Sequence, residues 1–305
     1  MFYPIKFQPI YKSMIWGGDN IAKKFNRQVP EGKIGESWEI CCREDGMSIV
    51  SNGSLKGKSF EEIIKEHKED LLGKDVYDET ATHLFPLLIK IIDATDNLSV
   101  QVHPDDEYAA KHNDSGKTEL WYVLDTKPGA SLIYGLKEGM TKEEFTKAVE
   151  EGNIKDTLNE IEVKPGDVIF IPAGTVHALL DGVMIAEIQQ NSNVTYRLYD
   201  WDRLQDDGTS RELHVEDALN VIDFDRPLFT PNDGACFTVE EVEVDGLYYS
   251  KTDGSTFYVY MVTEGSGVMK YEGGEESLSL GDTVLVPATM GGYSIEGELK
   301  VLEVF

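Results

Sequence analysis

The chain reads as a mainly β protein: two β-barrels of related design, the second smaller, with a few helices. Three observations carry that expectation. Short runs of β-branched and aromatic residues recur between Gly, Pro, Asn and Asp, the residues that bound strands. Helical periodicity is confined to three stretches, with no regular alternation of strand and helix, which favours an antiparallel sandwich or barrel over a doubly wound sheet. Part of the sequence is also repeated.

Strand-like runs include 36–42, 168–171, 258–262 and 283–286. The first helical pattern starts at Ser59 as N-cap and runs through FEEIIKEHKEDLL, with Phe60, Ile63, Ile64, Leu71 and Leu72 on one face. The second, TKEEFTKAVEEG, places Thr141 and Glu144 at capping-box spacing and Gly152 as a stop. A third, over 213–224, is expected to bridge two β-rich parts.

The repeat has two pieces. GDVIFIPAGTVH at 166–177 and GDTVLVPATMGG at 281–292 share Gly-Asp, an apolar run and Pro-Ala in step, a turn, strand, turn unit. Upstream, WYVLDTKPGASLIY at 121–134 can be laid on YVYMVTEGSGVMKY at 258–271. The first copy is longer between its pieces, by about the stretch 139–160 that holds the second helix. Two related units, one with an inserted helix, follow; the boundary is set as 1–235 and 236–305. On this alignment His177 falls opposite Gly292 and Glu119 opposite Thr256, so only the first copy keeps groups able to hold a metal.

Composition narrows the function. With 28 Lys+Arg against 56 Asp+Glu and a net charge of −28, the surface suits neither nucleic acid nor an anionic membrane. The longest apolar run, 85–92, contains Pro86 and Lys90 and is far short of a bilayer span. The first residues lack the pattern of a signal peptide, so a cytoplasmic location is expected. Cys41, Cys42 and Cys236 make no paired framework, which fits a reducing compartment, and all three read as buried small hydrophobes. Nothing in the composition specifies an oligomer.

In LSVQVHPDD, Ser99, Gln101 and His103 alternate and share one face of a strand. In GKTELWYVL, Lys117 and Glu119 do the same, and His177 closes the 166–177 segment. Gln101, His103, Glu119 and His177 make an N2O2 ligand group suited to one Zn²⁺, with Mn²⁺, Fe²⁺ or Co²⁺ compatible. One carboxylate with three neutral ligands leaves such an ion a Lewis acid. His67, His83, His112 and His214 read instead as a helix face, a turn, a polar loop and a helix start. In IAEIQQNSNVTYRLYDWDR, Glu187, Gln189 and Asn191 alternate and Arg197 follows, positioned to clamp an anion or steady an oxyanion. Lys117 and Arg197 are the leading phosphate ligands, with Arg203 third; no phosphate-loop glycine pattern is present.

PGDVIFIPAGTVHAL resembles the second motif of the cupin superfamily. Together with QVHPDD, GKTELWYVL, the EIQQNSNVTYRLYDWDR stretch, IWGG at 15–18 and GESWEI at 35–40, it resembles the short bacterial branch of the type I mannose-6-phosphate isomerase family over nearly the whole chain. The resemblance implies jelly-roll barrels and an enzyme that interconverts mannose 6-phosphate and fructose 6-phosphate through an enediol. It implies a metal site of Gln101, His103, Glu119 and His177. It also implies a catalytic Arg197, an active-site Lys117, and Glu187 in proton transfer, with Ser99, Lys117 and Arg197 toward the sugar phosphate. Some members carry a Tyr shortly after the last His where this chain has Leu179, so that role does not transfer. Another metal-dependent cupin enzyme, such as a dioxygenase, and a non-catalytic sugar-binding cupin are the alternatives.

Overall fold

A computed structural model describes residues 2–81, 83–205, 208–225 and 236–305. The chain is mostly β, and its first unit is made of two antiparallel sheets. One has six strands in the order Val168–Ile171, Glu119–Thr126, Val183–Gln190, Leu87–Ala94, Ile34–Ile40 and Ile10–Gly18. The other has five, in the order Leu158–Glu162, Ser131–Leu136, His177–Leu179, Val100–Val102 and Tyr196–Tyr199. They pack face to face as a jelly roll with open edges: Trp121, Val123 and Ile185 of the first meet Leu132, Tyr134 and Leu179 of the second in one apolar layer. Leu87–Ala94 is buried at every residue, which explains its nearly continuous apolar sequence. Its outer face packs Leu87, Ile89 and Ile91 against Phe60, Ile63 and Ile64 of a helix.

That helix, Phe60–His67, starts at Ser59 with a capping box closed by Glu62. The chain then turns at Lys68, whose φ is 48°, and resumes as Glu69–Leu72. Thr141 and Glu144 cap the second helix, Lys142–Glu150, in the same way. The third is Val215–Val221, shorter than its expected range at both ends. A helix over Asn20–Phe25 has no clear signal in the sequence, because six residues offer only Ile21 and Phe25 as an apolar pair.

The second unit is a six-stranded sheet whose order is Ile5–Lys6, Thr283–Val286, Tyr258–Tyr271, Gly292–Val304 and Val239–Lys251, with Gly274–Ser279 hairpinned onto Tyr258–Tyr271. The N-terminal strand thus belongs to the C-terminal sheet, Ile5 opposite Leu285 and Lys6 opposite Val284. The units also share a core: Phe85 stacks between Phe60 and Phe257 at centroid separations of 4.8 and 5.0 Å. Arg27 forks onto the buried Glu39 carboxylate and donates to the carbonyl of Gly281, tying the first unit to a turn of the second. The boundary drawn between 235 and 236 falls at 226–235, outside the described residues.

The repeat is visible in hydrogen bonding. Gly166 and Asp167 close their turn on Val123, and Gly281 and Asp282 close theirs on Val262. Val123 therefore corresponds to Val262, Trp121 to Tyr260, and Glu119 to Tyr258 rather than Thr256. A two-residue slide preserves which side chains point inward, so alternation alone does not detect it. The inserted helix lies in residues 137–157, between Ser131–Leu136 and Leu158–Glu162; the second unit makes the same connection through Glu272 and Gly273.

Cys41 and Cys42 are buried, and burial pushes both thiols up to about 12. Cys236 is exposed, contrary to expectation, at the start of the second unit before the chain enters its sheet. Among the described residues no helix is long and apolar enough to cross a membrane.

Candidate metal centre and its cavity

The two sheets of the first unit deliver four side chains to one point. Strand Val100–Val102 carries Gln101, and His103 follows before Pro104. His177 opens its strand directly opposite Gln101, and Glu119 opens a strand of the facing sheet. Ligand atoms of His103, Glu119 and His177 lie within 4.8 Å of one another, and all three residues are buried. The Gln101 amide lies 3.3 Å from His177 Nε2; turning that amide over, which leaves its shape unchanged, presents Oε1 there instead.

The donor set fits a divalent cation. His103 Nδ1 donates to the carbonyl of Val194 and His177 Nδ1 to that of Thr175, each at 2.9 Å, which leaves both Nε2 lone pairs facing Glu119 at 3.3 and 3.5 Å. Among the described residues neither oxygen of Glu119 accepts a hydrogen bond, although the residue has no exposure. A carboxylate so placed calls for positive charge. Lys117 Nζ, 3.0 Å from Glu119 Oε1 and 3.2 Å from His103 Nε2, supplies part of it. Burial alone would raise the Glu119 carboxyl; the Lys117 ammonium beside it overcomes that and holds it well below the usual range. Burial, then Lys117, pushes His103 down to about 3, and burial lowers His177 too. Both rings are therefore neutral, the form that ligates metal.

A cavity of about 480 Å³ opens beside this cluster. Gln101, Lys117, Trp121 and Glu187 line its buried part, with Lys90, Glu36, Trp16 and Trp38 around them. Glu187 sits across paired strands from both Trp121 and Lys90. Its Oε2 accepts from Trp121 Nε1 at 2.9 Å, and Lys90 Nζ stands 2.9 Å from Oε1. Burial, with the charge of Glu119, raises the Glu187 carboxyl, so its proton is more easily held than that of a solvated glutamate. Burial disfavours the Lys90 ammonium, but Glu187 and Glu36 outweigh it and keep it charged.

Arg197 lies across from Gln101 in the neighbouring strand and lines the same cavity. Its Nε donates to Ser99 Oγ at 3.3 Å and its Nη1 to the carbonyl of Glu212 at 2.8 Å. Leu179 lines the cavity as well. Other residues of that segment serve elsewhere. Arg203 turns to Asp96 and the carbonyl of Asn97. The Gln189 amide donates to the carbonyls of Gln190 and Ser192, and the Asn191 amide to those of Cys42 and Phe85, bracing the loops around the cavity. His83 pairs with Asp114 at 3.0 Å.

Sequence reasoning missed Lys90, Trp121, Trp38, Glu36 and Arg211. Lys90 had a signal, as the one charge inside the apolar run 85–92. The others come from strands and a loop that only the fold brings together.

Residues 5–132 match the family model for the phosphomannose isomerase type I catalytic domain, and residues 230–305 match that for the mannose-6-phosphate isomerase cupin domain. The chain is 38% identical over 318 residues to "Probable mannose-6-phosphate isomerase GmuF" of Bacillus subtilis (strain 168), covering 99% of each. It is 35% identical over 317 residues to the mannose-6-phosphate isomerase of Streptococcus mutans serotype c, covering 99% of this chain and 98% of that one. A crystal structure of the mannose 6-phosphate isomerase from Bacillus subtilis superposes with a TM-score of 0.91 at 34% identity, covering 100% of both chains. With both of its domain models matched in order and relatives aligned end to end, the chain belongs to the type I phosphomannose isomerase family.

Proposed function

We propose that the protein is a metal-dependent aldose-ketose isomerase that interconverts mannose 6-phosphate and fructose 6-phosphate, acting in the cytoplasm with one Zn²⁺ per chain. One observation carries this reading: a hydrogen-bonded, buried Glu187, an ammonium and a guanidinium converge on one cavity beside a cation-ready cluster. Free thiols fit the reducing compartment. Two imidazoles with one carboxylate suit zinc.

A proton beside a carbonyl is weakly acidic, so isomerisation needs a placed base and stabilisation of negative charge on oxygen. The open-chain aldose loses its C2 proton while O1 gains one, giving an enediol; O2 then gives up its proton as C1 gains one, leaving the ketose. When bound, a divalent cation supplies Lewis-acid polarisation of the sugar oxygens. Glu187 is the base, oriented by Trp121 Nε1 and Lys90. Lys117, buried among the ligands, is placed to pass a proton. Arg197 and Ser99 bind substrate, the guanidinium countering negative charge.

The test couples fructose 6-phosphate formation from mannose 6-phosphate to a dehydrogenase readout, with metal analysis of the same sample. Turnover abolished by chelation and restored by Zn²⁺, with one equivalent bound per chain, is the expected result. Absence of turnover in the metal-loaded protein would overturn it.

A further inference from the structure

The cavity holds a cationic group that the chemistry above does not use. Arg211 lies between strand Tyr196–Tyr199 and helix Val215–Val221 and lines the cavity with Arg197 and Ser99. Its guanidinium is forked onto the buried Asp200 carboxylate through Nε, at 2.7 Å, and Nη2. A planar group gripped along one edge has its other edge aimed, and among the described residues Nη1 has no hydrogen-bond partner. Arg197 is held by Ser99 and the Glu212 carbonyl, and among the described residues its Nη2 has no hydrogen-bond partner.

Two guanidiniums on one cavity repel. The charge of Arg211 acts, after burial, to disfavour that of Arg197. Asp200 does not cancel the pair, since it also meets Arg203 at 3.5 Å. An anion between the two would relieve the repulsion and use both remaining edges. Arg197 stands across from Gln101 and holds Ser99, two residues before Gln101, and both line the cavity with Arg211, so one cavity joins the candidate ligand Gln101 to the two guanidiniums. A ligand with a carbonyl at one end and a phosphate at the other matches such a cavity.

We propose that Arg211, held by Asp200, is the phosphate-recognition residue of this cavity, acting as a clamp with Arg197, and that it sets the preference for phosphorylated sugars. The inference rests on the isomerase reading for its substrate and on Arg211 for its chemistry. Asp200 is a positioning residue, and Lys117, buried at the cation cluster, is freed from a phosphate role.

The test uses the metal-loaded full chain with two readouts: steady-state kinetics on mannose 6-phosphate, and calorimetric binding of inorganic phosphate. Arg211→Gln should raise KM about 10- to 100-fold and weaken phosphate binding similarly, with kcat changed less than KM and metal content unchanged. Arg211→Lys keeps the charge beside Asp200 but loses the fork; it should fall in between, and it gives the reading if the Gln variant does not fold. Asp200→Asn should raise KM with kcat retained, which a purely structural role would not do. Unchanged KM and phosphate affinity in the Arg211 variants would overturn the inference while leaving the isomerase reading intact. Arg211-dependent phosphate binding in a wild-type protein that does not isomerise would support the clamp and overturn the isomerase reading instead.

Discussion

The two β units share a frame and differ in what surrounds one inherited carboxylate. In the first, Glu187 stands across from Trp121 and accepts from its indole; in the second, Glu303 stands across from Tyr260, the equivalent residue, and accepts from its hydroxyl. The other neighbours diverge. On the remaining side Glu187 has Lys90, whereas Glu303 has Glu240. Tyr260 also meets Tyr293, hydroxyl to hydroxyl at 2.7 Å, and Tyr248 donates to Glu303 at 3.3 Å, so phenols surround this acid. Burial and the neighbouring acid hold the Tyr260 proton firmly. An acid buried on a strand is therefore not itself a sign of chemistry in this fold. The ligand cluster and the open cavity beside it make the difference.

The sharpest way to break the comparison is to remove a candidate ligand from the first unit. His177→Ala should lose bound metal and at least about 10³-fold in kcat/KM, whereas Gly292→Ala in the second unit, where an added methyl meets nothing within 4 Å, should alter neither. By strand pairing Tyr293, opposite Tyr271 as His177 is opposite Tyr134, and not Gly292, takes the place of His177. Metal analysis beside the coupled assay reads both. Next come the two carboxylates: Glu187→Gln should lower kcat by about 10²- to 10⁴-fold with stability little changed. Glu303→Gln should leave kcat alone and cost about 1–3 kcal/mol in urea unfolding. The joint between the units can be opened with Arg27→Met, which strands Glu39 in a buried setting; about 3 kcal/mol of stability should go, with metal content preserved.

The smallest effect concerns acid. Burial raises Asp114, but the hydrogen bond from His83 and the charge of Arg43 bring it below its ordinary value. A depressed carboxylate contributes stability above its unfolded pKa of about 3.9, and that contribution is lost as pH falls through the folded value. Asp114→Asn should remove this loss, so that the melting temperatures of variant and wild type converge between pH 5 and pH 2, values chosen to bracket about 3.9.

Much of the candidate site was legible because its candidate ligands alternate on strands: Gln101 and His103 declare a shared face, Lys117 and Glu119 another, and the capping boxes at Ser59 and Thr141 announce their helices. The rest depends on long-range pairing. Trp16, Glu36 and Trp38 reach the cavity from N-terminal strands, and Lys90 acquires meaning only once Glu187 is across from it. Arg211 lies in a loop with no periodicity to place it. The slip that set Glu119 against Thr256 arose because strand alternation repeats every two residues, and only the Gly-Asp turn bonds fix the register.

The N-terminal strand has a consequence for how the molecule is assembled. Ile5–Lys6 finishes the sheet beside Thr283–Val286, and Lys6 adds an ion pair to Asp282 at 2.8 Å, so one of the earliest segments made waits for one of the last. Closing so large a loop slows folding. Excising residues 236–305 as a free-standing module would also bare the main-chain groups of Thr283–Val286, a template on which a second molecule can aggregate.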